Sequence, residues 1–263
     1  MKKTLMICLS AVLVASLFSC SGKGHAEAGS DEPLDFGVIK KDTTVSLSSS
    51  AASPKAEIRL NLHYATGHHA QEVNTLLFKS GILTPDYFCN DSVVPEPHKA
   101  VGLFLEKYAA DYKKDYGDMY RRDPSHTESY QVQYFCSTNI KKGRKGVVNY
   151  LADISYFGGG THPVDYTIAL NIDRENGKLV QLSDVFSSDY EDMLTQKIVD
   201  ALCEKYRVKN LSELREHSIF MDMEPYVTNN YILGKKHITF IYVDSEIAPH
   251  SEGQIEVDVE YGE

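Results

Sequence analysis

From Glu57 onward the apolar residues of the chain recur with two alternating periods. Ile58, Leu60, Leu62 and Tyr64 alternate with Glu57, Arg59, Asn61 and His63, the period-two pattern of a strand with one buried face. Val73, Leu76 and Leu77 then take helical spacing up to Gly81, a residue that ends helices in the left-handed conformation. After Pro95 and Pro97, the stripe Val101, Phe104, Leu105, Tyr108 and Tyr112 predicts a helix that packs one face. Tyr130, Val132, Tyr134 and Cys136 predict a strand, and Val148, Tyr150, Ala152, Ile154 and Tyr156 predict another. Gly158-Gly159-Gly160 breaks the alternation and Val164, Tyr166, Ile168, Leu170 and Ile172 restart it, which reads as a long antiparallel hairpin. Asn176-Gly177 marks a turn. Ser188-x-x-Glu191 reads as a capping box opening a helix to about Tyr206, and Asn210-x-x-Glu213 starts a shorter one. Ile238, Phe240 and Tyr242 form a strand, and Ile255, Val257, Val259 and Tyr261 another whose opposite face carries Glu256, Asp258 and Glu260.

Hairpins with helices inserted between them, without regular βαβ alternation, define an α+β fold: a mainly antiparallel sheet arranged as two small subdomains, residues 55–140 and 141–263. Ahead of them the pattern is different. Lys2 and Lys3 precede an apolar run from Met6 to Phe18, interrupted by Ser10 and Ser16, the layout of a signal peptide over residues 1–19. Thirteen residues at 1.5 Å each reach about 20 Å, short of a hydrocarbon core of ~30 Å. Leu17-Phe18-Ser19-Cys20 resembles a bacterial lipobox, which makes Cys20 the lipidation site, with the bulky Phe18 a departure. The other reading is an ordinary secretory signal with an incidental cysteine. Residues 20–54, rich in Ser, Gly, Ala, Asp and Lys, read as a flexible tether.

The formal charge of −10 becomes −12 once Lys2 and Lys3 leave with the leader. Such a field disfavours nucleic acid and favours basic partners, chiefly through the rate of encounter. Three cysteines would remain in the envelope, an odd number, with Cys89 and Cys136 a candidate pair of unknown geometry. No phosphate loop, nucleophile elbow, Cys-x-x-Cys pair or zincin motif is present, so no cofactor is called for. His63, His68 and His69 lack the convergence a metal site needs, since neighbouring side chains diverge on strand and helix alike. Seventeen tyrosines and no tryptophan leave tyrosine as the main aromatic contact residue.

Two blocks carry a family resemblance. The first is Tyr156-Phe157-Gly158-Gly159-Gly160-Thr161-His162-Pro163 with Asn171-Ile172-Asp173, Gly177-Lys178 and Leu182-Ser183-Asp184-Val185-Phe186. The second is Phe240-Ile241-Tyr242 followed by Glu246-Ile247-Ala248-Pro249-His250-Ser251-Glu252-Gly253. Both resemble the extracytoplasmic domain of RsiV-type lysozyme-binding anti-sigma factors, where a tyrosine commonly stands at the place of His250. Glu57 to Leu77, with Asn74, is similar to the domain preceding it, which also occurs with peptidoglycan deacetylases. The resemblance implies a non-catalytic envelope module, although this chain shows neither a transmembrane helix nor a sigma-binding segment. The expected function is therefore an envelope-anchored binding lipoprotein, on the periplasmic or outer-membrane face and attached to the membrane by its lipid alone, with a protein ligand such as lysozyme. The alternative is a cell-wall hydrolase or deacetylase accessory enzyme using His162 and Glu246 as acid and base.

The candidate ligand-binding residues are Gly158, Gly159, Gly160, Thr161, His162, Tyr242, Glu246 and His250. A glycine loop can offer backbone N–H groups while His162 adds a donor or acceptor, against the plainer reading that His162 caps the turn. Glu246 and His250 converge with that loop if the last strands flank the hairpin. Otherwise they belong to a structural corner fixed by Pro249 and by backbone bonds to Glu246.

Overall fold

The protein is described here by a computed structural model covering residues 33–91 and 93–261, so the signal peptide and Cys20 lie outside the described residues. Two sheets carry the fold. The first contains β1 (Asp35–Ser46), β2 (Lys55–Thr66), β3 (Val132–Lys142), β4 (Val147–Phe157) and β5 (Val164–Asp173) in sequential order. All its pairs are antiparallel except β2–β3, whose parallel register needs the long crossover through α1 (Ala70–Phe78) and α2 (Pro97–Arg122). The second sheet, β6 (Tyr231–Leu233), β7 (His237–Tyr242) and β8 (Ile255–Glu260), is antiparallel and is covered by α3 (Tyr190–Tyr206) and α4 (Leu211–Glu216). The α+β class and the mainly antiparallel pairing are as the periodicity predicts, and the strands divide into two sheets.

Local chemistry sets the element ends. Glu96 caps α2 by accepting from the N–H groups of His98 and Lys99, and Pro97 stands in the first turn, where its missing donor costs nothing. Asn210 caps α4 through the N–H of Glu213, as expected. The expected box at Ser188 is absent: α3 begins after Asp189, a left-handed residue without a side-chain cap. A capping box is found instead at Gln181 and Asp184, around a short 3₁₀ turn.

The helices α1 and α2 lay Val73, Leu77, Phe78, Val101 and Phe104 on the inner face of the first sheet, against Ile58, Leu60, Tyr134 and Tyr150. Burial of each such side chain stabilises by roughly 1.5–3 kcal/mol. Asn74, buried in α1, donates to the carbonyl of Ala65 and accepts from its N–H at 2.9 and 2.7 Å, replacing a strand neighbour at that point of β2. A second core lies between α3, α4 and the face of β7 bearing Ile238, Phe240 and Tyr242.

The opposite face of β7 turns to the first sheet, where Ile241 meets Leu151 and Ala169. Amides stitch this seam. Asn171 donates to the carbonyl of Tyr231 and accepts from the N–H of Leu233, and Asn149 donates to Asn171. Val147 to Ala152 are consequently buried on both faces, which explains why β4 reads as a nearly unbroken apolar run.

Two boundaries differ from the sequence reading. The tether assigned to residues 20–54 contains β1, a 12-residue strand paired along its whole length with β2. The division set at 140/141 falls inside the β3–β4 hairpin, whose turn closes through Gly143 N–H to Val147 O; the change from first sheet to second comes after Asp173. In that turn a Cβ on Gly143 would lie 2.7 Å from the carbonyl of Leu233, so the glycine lets the second sheet approach.

Candidate functional site

The β4–β5 connection, residues 158–163, carries five of the eight candidate binding residues. Gly159 has φ +81°, and a Cβ there would sit 2.3 Å from the carbonyl oxygen of Ser129, so this glycine is demanded by the fold. Gly160 is different. Its φ is ordinary and a Cβ would meet nothing within 4 Å. Thr161 and His162 are exposed.

The corner after β7 comes to the same place, and the rings of His162 and His250 stack with centroids 5.7 Å apart. His250 Nδ1 is 2.5 Å from Oδ2 of Asp244, whose side chain is only 7% exposed against 55% for His250. The buried carboxylate orients an imidazole that faces water. Glu246 is occupied: Oε2 accepts from Val243 N–H at 2.7 Å and Oε1 from the hydroxyl of Tyr226 at 2.5 Å. Tyr226 in turn accepts at its carbonyl from Tyr242 OH, 2.5 Å away. Tyr242 is wholly buried, and burial holds its hydroxyl protonated far above the ordinary phenol range, so it underpins the corner and is out of reach of a ligand. The structure thus brings His162, His250 and the glycine loop together, gives Glu246 the structural role, and moves Tyr242 into the core. Asp244 was not singled out by sequence reasoning. Its signal was an acidic residue six positions before the histidine, in the gap between the two recognised halves of that block.

Beside this junction the outer face of the first sheet stays open where the second sheet ends. The register lines up two rows across all five strands: Asp42, Arg59, Phe135, Ser155 and Asp165, then Lys40, Asn61, Ser137, Asp153 and Thr167. They floor a groove of about 690 Å³ walled by Gln254, one residue past the corner. Arg59 lies 4.7 Å over the ring of Phe135, Thr167 donates to Asp153, and Asn61 Oδ1 is buried without a partner among the described residues. A separate hollow on this face, lined by Gln133, Phe157 and Pro163 among others, lies at the glycine loop. Sequence reasoning missed the floor because its residues look like the ordinary solvated side of each strand.

His68 and His69 stack on each other, and His69 Nε2 lies 3.1 Å from the carbonyl of Glu175. No group of three or more His, Cys, Asp or Glu comes together among the described residues. Cys89, Cys136 and Cys203 are free thiols, so the candidate Cys89–Cys136 pair is not formed; burial pushes the Cys136 thiol up to about 12. No helix among the described residues is long and apolar enough to cross a membrane.

The fold is similar to that of proteins of one family. Residues 183–262 match a family described as "Protein of unknown function (DUF3298)", a match that includes the corner and starts downstream of the glycine loop. A DUF3298 protein from Bacteroides fragilis is 23% identical, with 87% of this chain and 90% of that one aligned at a TM-score of 0.75. Another from Pseudomonas aeruginosa is 14% identical, with coverages of 88% and 92% and a TM-score of 0.56. At these identities the likeness is one of fold. No curated protein matches the chain.

Proposed function

We propose that this chain is an envelope lipoprotein that binds a protein ligand without catalysis, through the glycine loop and the His162–His250 pair. One observation carries the reading. Two exposed imidazoles, 88 positions apart in sequence, are stacked at the surface while the carboxylates next to them are already engaged. The arrangement suits recognition, because Gly160 leaves a smooth approach and the histidines offer directed hydrogen bonds at a site lying beside a polar groove. The acid–base alternative asks Glu246 to move a proton, and both its oxygens are committed to Tyr226 and Val243. Lysozyme is the first candidate ligand, from the family resemblance and from the acidic charge of the chain.

Calorimetry of the chain from Ser21 onward against lysozyme tests the ligand. Affinity that persists at about 1 M salt, where the Debye length is about 3 Å, and that falls in His162→Ala is the expected outcome. No heat at low salt excludes lysozyme. Lipidation at Cys20 is tested by fractionating the Cys20→Ala variant, which should leave the membrane fraction.

A further inference from the structure

A second cleft lies on the helix side of the first sheet, away from both histidines. The helix α2 presents Tyr108, Asp111, Tyr112, Asp115 and Tyr116 at i, i+3, i+4, i+7 and i+8, one face of the helix, toward Thr84, Pro85, Tyr87 and Tyr156. The space enclosed is about 160 Å³. Five tyrosines and two carboxylates line a hollow with no basic residue in its wall. Asp111 accepts from Tyr87 OH at 2.6 Å, whereas Asp115 has no hydrogen-bond or ion-pair partner among the described residues. The ammonium of Lys107 stands 5.4 Å over the ring of Tyr87.

These groups have one electrostatic preference. Aromatic rings present negative faces, and a cation held among them gains most where it also meets a carboxylate and loses little water. Burial first, and for Tyr87 and Tyr116 also the nearby Asp111 or Asp115 charge, raises the pKa of the Tyr87, Tyr108, Tyr112 and Tyr116 hydroxyls. The formal charge of the wall is that of its two aspartates. An anion would face that charge with no donor but hydroxyls. A neutral apolar group would bury Asp115 without compensation.

We propose that this cleft is a receptor for one organic cation, the guanidinium or alkylammonium head of a basic side chain on a partner polypeptide, with Tyr108, Tyr112, Tyr116 and Tyr156 around it and Asp111 and Asp115 as counter-charges. The site goes beyond the His162–His250 surface and shares no residue with it, so either can fail alone. The cleft adjoins the glycine loop, since a Cβ on Gly158, its first residue, would come within 2.7 Å of the Tyr156 hydroxyl.

The absence of tryptophan makes intrinsic fluorescence a report on tyrosine alone. The chain from Ser21 onward is titrated with N-acetyl-arginine methylamide, with its citrulline analogue as the uncharged control and with spermidine as a free polyamine. The expected result is saturation by the arginine derivative near the millimolar range, none by citrulline, and at least a ~10-fold loss in Asp115→Asn and in Tyr156→Ala, both at exposed positions. Equal binding of citrulline, or an unchanged affinity in Asp115→Asn, overturns the proposal. Saturation by spermidine with none by the arginine derivative overturns the assignment to a basic side chain.

Discussion

On one side of the His162–His250 contact the chain is fastened at almost every residue; on the other it is hardly fastened at all. The corner from Asp244 to Gly253 is tied by Asp244 to His250, by Glu246 to Val243 and Tyr226, by Ile247 to Phe220, and by Pro249 and His250 to Glu252 and Gly253. Residues 158–163 take part in no hydrogen bond among the described residues and rest on the approach of Gly159 to Ser129. The corner is thus a scaffold that aims one imidazole, and the loop is a free surface laid against it. Substitutions should register as lost stability in the first and as altered recognition in the second.

The largest test acts on what lies beneath the corner and in the first core. Tyr134, Tyr150 and Tyr242 are buried with raised hydroxyl pKa values, desolvation being the main cause. In the unfolded chain they release protons near pH 10 while the native chain holds them, so their contribution is complete below that pH and is lost as pH rises toward the native values. The loss is about 1.4 kcal/mol per tyrosine per pH unit. Thermal unfolding followed from pH 9 to 12 should show a steep fall; a flat profile would mean these hydroxyls are not held as described.

Next, Glu246→Ala removes the acceptor of two bonds and should cost about 2–3 kcal/mol in urea unfolding. A cost below about 0.5 kcal/mol would show that the corner stands without it. Gly159→Ala forces a left-handed residue into the Ser129 carbonyl and should cost about 1–2 kcal/mol. Gly160→Ala should be the mildest, within about 0.5 kcal/mol, and yet it should weaken binding measured by calorimetry. If Gly160→Ala destabilises as Gly159→Ala does, the loop is scaffold as well and the contrast fails.

How much of this could be read in advance depends on how many faces of each element are buried. β2, β3 and β8 alternate because a core covers one side and water the other, whereas β4, β5 and β7 were visible through the period-two run of their core-facing residues, although the packing of the two sheets also covers part of their other face. β1 was hidden because an edge strand with two buried residues, Ile39 and Val45, and lysines at 40 and 41 has the composition of a tether. β6 spans only Tyr231–Leu233, too short for a period. The 140/141 division failed because the basic, glycine-containing turn at residues 141–146 resembles a linker, whereas backbone bonds make it a hairpin end. In the site, the meeting of His162 and His250 was foreseeable from two motifs and a topology. The engagement of Glu246 by Tyr226 was not, because no local pattern links residues 20 positions apart across a loop.

β5 is the last strand of its sheet, yet part of its outer edge is closed without another strand. Gln254 accepts from the N–H of Thr167, and Asn230 accepts from Ala169 and donates to the carbonyl of Thr167. Both amides come from the half of the chain that follows Asp173. An unpaired edge recruits other chains, and these two side chains act as its stopper. Dissecting the molecule at its apparent midpoint would therefore uncork a strand primed for self-association, which makes the two sheets a single unit of solubility even though each has its own core.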